Sequence, residues 1–95
     1  MEYSENRIKD WKELRRALEA LELDEGIRID LKNEFIFINK LKNEYPLCIS
    51  EKVYDKALKK YIPTEDKEWH SFKSLEELLS FLKERVKEPI EAWLY

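Results

Sequence analysis

Cys48 and His70 are the only cysteine and the only histidine in the 95 residues. Together they hold the atoms of a nucleophile and its general base. Such a pair works when the base reaches the nucleophile and donors converge where an oxyanion develops. No glycine-rich loop offers those donors, since the single glycine is Gly26. Cys48 therefore reads as a small, partly buried side chain. His70, beside Trp69, reads as a packed or surface imidazole. One Cys and one His also exclude internal disulfides and zinc sites built from several such ligands.

Carboxylate chemistry is equally thin. Asp30-Leu31-Lys32 and Glu65-Asp66-Lys67 have the acid-x-Lys form used by metal-dependent nucleases. That form needs a further carboxylate on an earlier strand, and Asp24 and Glu25 lie too close in the chain to supply it. In a chain that is 41% charged, the spacing arises by chance. Leu75-Glu76-Glu77-Leu78-Leu79 fits the LxxLL pattern of groove-docking helices, a pattern that any core-facing helix also produces. No phosphate-binding loop, metal-ligand set or dinucleotide fingerprint is present. The expectation is a non-catalytic protein without cofactor or metal.

Residues suited to binding are more numerous. Arg28, Phe35 and Phe37 fall on one face of a strand meander, and Lys52, Lys56, Lys59 and Lys60 follow it. Aromatics on a sheet with cations nearby make a stacking platform for single-stranded nucleic acid. Four lysines near Tyr54 and Tyr61 have the composition of a phosphate-backbone contact. The simpler reading is that another segment of the chain, or a second copy, covers the phenylalanines. The C-terminal Ile90, Trp93, Leu94 and Tyr95 are apolar enough to require docking, on their own domain or on a neighbour. Trp and Tyr are common interface anchors, which marks these four as a candidate homo-oligomer interface. On that reading, deleting Trp93 to Tyr95 leaves a folded chain of lower mass.

The elements that must position these residues follow from periodicity. Residues 27–50 contain Leu-Lys-Asn-Glu twice, at Leu31–Glu34 and Leu41–Glu44, each between runs rich in β-branched and aromatic residues. With two-residue Lys-Asn loops, helped by the tolerance of Asn for positive φ, Ile29 faces Ile36 and Ile27 faces Ile38. In the second hairpin Ile38 faces Leu47, and Ile36 faces Ile49. Alternation then puts Ile27, Ile29, Leu31, Ile36, Ile38, Leu47 and Ile49 on one aliphatic face. The other face carries Arg28–Phe37–Cys48 and Asp30–Phe35–Ser50 as rows.

Ile8, Trp11, Leu14, Leu18 and Leu21 predict an amphipathic helix over residues 4–23, capped by Ser4 or Asn6 and ended by a left-handed Gly26. Its stripe belongs on the aliphatic face. Residues 51–62 read as a short basic helix or as a fourth strand running to Pro63. Ser74 with Glu77 forms a capping box that opens a helix over 74–87, whose broad apolar face suits deep packing over the Phe35/Phe37 side. Pro89 ends that helix or starts a turn, and 89–95 is the docked tail.

A single domain of this length buries roughly two-thirds of its unfolded surface. The net charge of −3 is partitioned: residues 1–26 carry −3, 27–38 zero, 39–61 +3 and 62–95 −3. An acidic chain argues against broad nucleic-acid binding but permits a local basic groove. The lone thiol and the lack of a secretory signal or membrane-length apolar run suggest a cytoplasmic protein. Abundant Glu and Lys with no Gln resemble thermophile composition. The expectation is an α+β domain with a three- or four-stranded antiparallel meander, an N-terminal helix and C-terminal helices in two to three layers. Its expected role is a self-associating module that binds a protein partner, as a regulator or inhibitor does. The alternative is a single-stranded nucleic-acid binder.

Overall fold

The computed structural model describes residues 7–95. The elements run β1 (Arg7–Ile8), α1 (Trp11–Glu19), β2 (Gly26–Asp30), β3 (Glu34–Asn39), β4 (Tyr45–Asp55), β5 (Lys60–Phe72), α2 (Leu75–Lys83) and β6 (Ala92–Leu94). The fold is α+β: among the described residues, two helices and one open, antiparallel sheet of six strands in the order β1-β6-β2-β3-β4-β5.

The meander has the register that its repeat implies. Ile29 pairs with Ile36, Ile27 with Ile38, Ile38 with Leu47 and Ile36 with Ile49. Both Leu-Lys-Asn-Glu copies close as short loops, with Leu31 N donating to Glu34 O (2.8 Å) and Leu41 N to Glu44 O (2.9 Å). Neither asparagine uses positive φ, so loop length alone sets the register. The aliphatic face becomes the core: Ile27, Ile29, Ile36, Ile38, Leu47 and Ile49 are fully buried. Leu14 and Leu18 of α1 and Leu78, Leu79 and Leu82 of α2 join the same cluster. The helices lie side by side, tied by Arg15–Glu76 (2.9 Å). Both therefore cover one face, which makes two layers and corrects the placement of the last helix over Phe35 and Phe37.

Several boundaries differ from the sequence expectation. The first helix begins at Trp11, because Ile8 is spent in β1 opposite Ala92. Asp10 caps it, its Oδ1 accepting from Glu13 N (2.8 Å), and Glu88 Oε2 accepts from Trp11 N (2.9 Å). The expected caps Ser4 and Asn6 lie outside the described residues. Gly26 is not a left-handed stop; Asp24 takes the positive φ (73°), and Gly26 opens β2. A Cβ there would sit 2.6 Å from the Tyr95 ring and 2.8 Å from Asn39 Nδ2. Glycine is needed because Tyr95 lies across it.

Residues 51–62 form no helix. β4 continues to Asp55 and turns through Lys56–Lys59 into β5, with Val53 opposite Ile62 and Tyr54 opposite Tyr61. Asp55 Oδ1 accepts from Ala57 N and Leu58 N (2.8 and 3.0 Å), and Lys59 closes the turn at φ 58°. Period-2 pairing of Val, Tyr and Ile across an Asp-capped turn outweighs the weak helical spacing. The Ser74 cap holds, accepting from Glu77 N (3.1 Å), but α2 ends at Lys83. The chain then turns and returns as β6, an internal strand between β1 and β2. β2–β5 thus form the meander, and β6 and β1 enlarge the sheet from the expected three or four strands to six.

Candidate functional site

With both helices on the aliphatic face, the other face carries any binding chemistry. Its residues come into line through the pairings. Arg7 (β1), Trp93 (β6), Arg28 (β2), Phe37 (β3), Cys48 (β4) and Trp69 (β5) stand opposite one another in a row across all six strands. The next row holds Asp30, Phe35, Ser50 and Asp66. The rows inferred from residues 27–50 are therefore present and extend onto strands whose register the sequence left open.

The face has two halves. On the β1–β2 side, the Arg28 guanidinium lies 5.9 Å from the centre of the Trp93 ring and 5.4 Å from that of Phe35. Its Nε donates to Asp30 Oδ1 at 2.8 Å. Arg7 lies over the same Trp93 ring, at 5.4 Å. On the β4–β5 side is a groove of about 380 Å³, lined by Phe37, Cys48, Ser50, Asp66, Trp69 and Tyr95 among others. Ser50, 2% exposed, donates its hydroxyl to Asp66 Oδ1 at 2.8 Å. Trp69 is 67% exposed and Tyr95 57%. Asp66 forms no ion pair among the described residues.

Phe35 does not belong to an open platform. It is 3% exposed, because the β4–β5 hairpin bends at bulges near Ser50 and brings Lys52 over its ring at 4.8 Å. The Lys52 ammonium also faces Tyr61 (5.2 Å) and donates to Leu31 O. Lys52 is thus a structural cation. Lys56, Lys59 and Lys60 are exposed around the hairpin tip and do not share a helical face with it. Phe37 remains half-buried at the centre of the row.

A different set of cations converges. Lys32, Lys67, Arg85 and Lys87 edge a depression of about 650 Å³ beside the Leu31–Glu34 turn. Two of them are paired: Lys67 with Glu34 at 2.7 Å, which raises the Lys67 pKa, and Arg85 with Glu68 at 3.5 Å.

The tail residues divide by face. Ile90 is buried in the core and is not available as an interface, whereas Leu94 is partly buried against that core on the helix side of the sheet. Trp93 is half-buried on the open face, and Tyr95 projects over Gly26. The tail docks in its own sheet.

The reactive residues are separated. Cys48 lies on the open face, whereas His70 pairs opposite Leu47 on the core side and meets Phe81 at a ring distance of 4.6 Å. Burial pushes the Cys48 thiol up, and Asp66 adds to the shift, so it stays protonated near neutral pH. Asp30 of the acid-x-Lys element is engaged by Arg28, and no group of three or more metal-binding side chains occurs among the described residues. Leu78 and Leu79 of the LxxLL pattern are buried, and Leu75 packs against the core.

The sequence reading put neither Trp69 nor Asp66 on this face, and offered Asp66 only within an acid-x-Lys element. Their signal was alternation: with Cys48 facing Trp69, Asp66 falls in the Phe35 row once one bulge is allowed. No described helix is long and apolar enough to cross a membrane. No family model, curated protein or solved structure gives a significant match to this chain.

Proposed function

We propose that the chain is a non-catalytic interaction module that uses the open face of its sheet to associate with a second copy and to bind a protein partner. The observation that carries this reading is the placement of both helices on one side. It leaves Phe37, Trp69, Trp93 and Tyr95 facing away from the core on a six-stranded surface. Aromatic side chains give large contact area with little loss of conformational freedom, and a half-exposed cluster of them suits an interface. β2–β5 over five or six residues each, with the short β6 and β1 beside them, project roughly 400 Å² at a strand spacing of about 4.8 Å, before side-chain relief is counted. The extended β4–β5 hairpin adds to this. The sum approaches the ~800 Å² of accessible surface that a specific complex takes from each partner.

Charge favours a protein over a nucleic acid. Arg28 is neutralised by Asp30, Asp66 stands in the groove, and the lysines of residues 52–60 do not track across the face. Sedimentation equilibrium from micromolar to millimolar chain concentration tests the reading. A dimer is expected, with Phe37→Glu, a charge placed at the centre of the row, abolishing it. A wild-type chain that stays monomeric throughout would remove self-association. Salt-sensitive micromolar binding of single-stranded DNA or RNA would favour the nucleic-acid alternative.

A further inference from the structure

The two halves of the open face hold the same ingredients in different states of completion. On the β1–β2 side, Arg28 lies against two aromatic rings and donates to Asp30. On the β4–β5 side, Trp69, Phe37 and Tyr95 line one groove with Asp66, and the described chain supplies no cation to that carboxylate. Guanidinium is the group that both stacks on an indole and pairs with a carboxylate. The groove therefore has the complement of an arginine side chain.

The row across the sheet points to the donor. Arg7 stands at one end, on the exposed edge strand, and Trp69 at the other. A second copy can meet this face about a two-fold axis in two simple ways. With the axis perpendicular to the strands, β1 lies over its own equivalent, and Arg7 confronts Arg7. With the axis along the strands and centred between β2 and β3, β1 of each copy lies over β5 of the other. Arg7 then falls on the partner's Trp69, one row from the partner's Asp66, within reach of a long side chain. Opposite charges meet twice, and Phe37 of each copy meets Arg28 of the other.

Resting on the self-association reading, we infer that the Trp69/Asp66 groove receives Arg7 of a second copy, in a reciprocal two-fold dimer whose axis runs along the strands. The isologous contact satisfies both open grooves at once, as closed symmetry requires. Unlike pairs across an interface also fix its register, because the alternative axis opposes like charges.

The test is charge exchange between chains. Arg7→Glu alone sets the introduced carboxylate against Asp66 twice in its own dimer, and Asp66→Arg alone sets two guanidinium groups together twice. Each variant is expected to weaken the dimer at least tenfold in low salt, measured by sedimentation equilibrium, with circular dichroism confirming the fold. In an equimolar mixture the heterodimer has two unlike pairs. One joins the two introduced side chains, a glutamate facing an arginine, and the other joins the Arg7 and Asp66 that each variant retains. Its dissociation constant is expected within a few fold of the wild-type value. A dimer that neither variant weakens, or a mixture that stays monomeric, overturns this arrangement and leaves the sheet-face reading standing. A wild-type chain that does not dimerise overturns both.

Discussion

Removing Trp93, Leu94 and Tyr95 should unfold or deeply destabilise the chain, against the sequence-based expectation of a folded protein of lower mass. The cost can be built from the structure. Leu94 is partly buried against the core, so its loss costs about half of a full Leu→Ala change, roughly 1–2 kcal/mol. Half-buried Trp93, flanked by two guanidinium groups, adds about 2 kcal/mol. Tyr95 exchanges two backbone hydrogen bonds with Gly26 (2.8 and 3.0 Å), together worth about 2 kcal/mol. β1 pairs with β6, so the anchor of Ile8, 5% exposed, loosens as well, at about 1 kcal/mol. The sum of roughly 6 kcal/mol is comparable to the whole stability of a small domain, about 5–15 kcal/mol. Urea denaturation followed by far-UV circular dichroism at low micromolar concentration measures it. With a slope of about 1–2 kcal/mol per molar, the midpoint should fall by several molar or leave no folded baseline. Leu94→Ala, on the core side, should reproduce the first 1–2 kcal/mol alone. A truncated chain whose midpoint lies within half a molar of the full chain would refute the assignment of β6 as an internal strand.

Three further outcomes follow from local geometry. Phe35→Ala should cost about 3 kcal/mol of stability, because the ring is 3% exposed beneath Lys52 and Arg28; a loss below 1 kcal/mol in urea would mean that the ring is not enclosed. Lys59→Gly should stabilise by about 0.5–1 kcal/mol, since a φ of 58° penalises a Cβ by slightly more than glycine adds to chain entropy. Thermal denaturation reads this as a midpoint several degrees higher, and a lower midpoint would count against a left-handed Lys59. The hydrogen bond from His70 (2.9 Å), with Arg85 assisting, holds the Glu68 carboxyl below its ordinary range. A carboxyl whose folded pKa is depressed stabilises the fold fully above the unfolded value of 4.5 and loses that contribution as pH falls through the folded value. Glu68→Gln should therefore flatten the fall in stability between about pH 5 and pH 3; parallel curves for the two chains would exclude the contribution.

The meander was legible because two copies of one tetrapeptide fixed two loop lengths, and a slip of one residue in either loop would have turned the isoleucines and leucines of an outer strand to the wrong side. The core composition followed, as did the cap at Ser74. The tail was harder. Ala92–Leu94 is too short to show a period, and its place between β1 and β2 depends on pairings across more than sixty residues. Residues 51–62 misled because Val53, Ala57, Leu58 and Tyr61 satisfy a helical spacing while also fitting a long hairpin. The deciding residue was Asp55, whose carboxylate organises the turn. The groove was missed for the same reason. Trp69 and Asp66 enter the face only once β5 is in register with β4, and a bulge shifts that register between Ile49 and Ser50.

The edges of the sheet explain why the face is the surface to test. β5 presents a free edge of 13 residues, long enough to recruit another strand. It is interrupted by Pro63, which has no N–H to donate, and by bulges opposite Ser50 that break a flat ladder. Lys60 and Lys67 add charge along it, and the other edge, β1, is two residues long. Such edges discourage strand addition. Trp69 lies 67% exposed on the open face beside the Asp66 carboxylate. If contact with another polypeptide is selected for, its energy comes from side chains on that face, and backbone pairing at β5 contributes little. Edge variants and face variants should therefore separate: Glu65→Pro, at the exposed bulge of β5 and outside the groove, should leave association unchanged, while Trp69→Ala should weaken it. The reverse pattern, by the same sedimentation measurement, would move the interface to the edge.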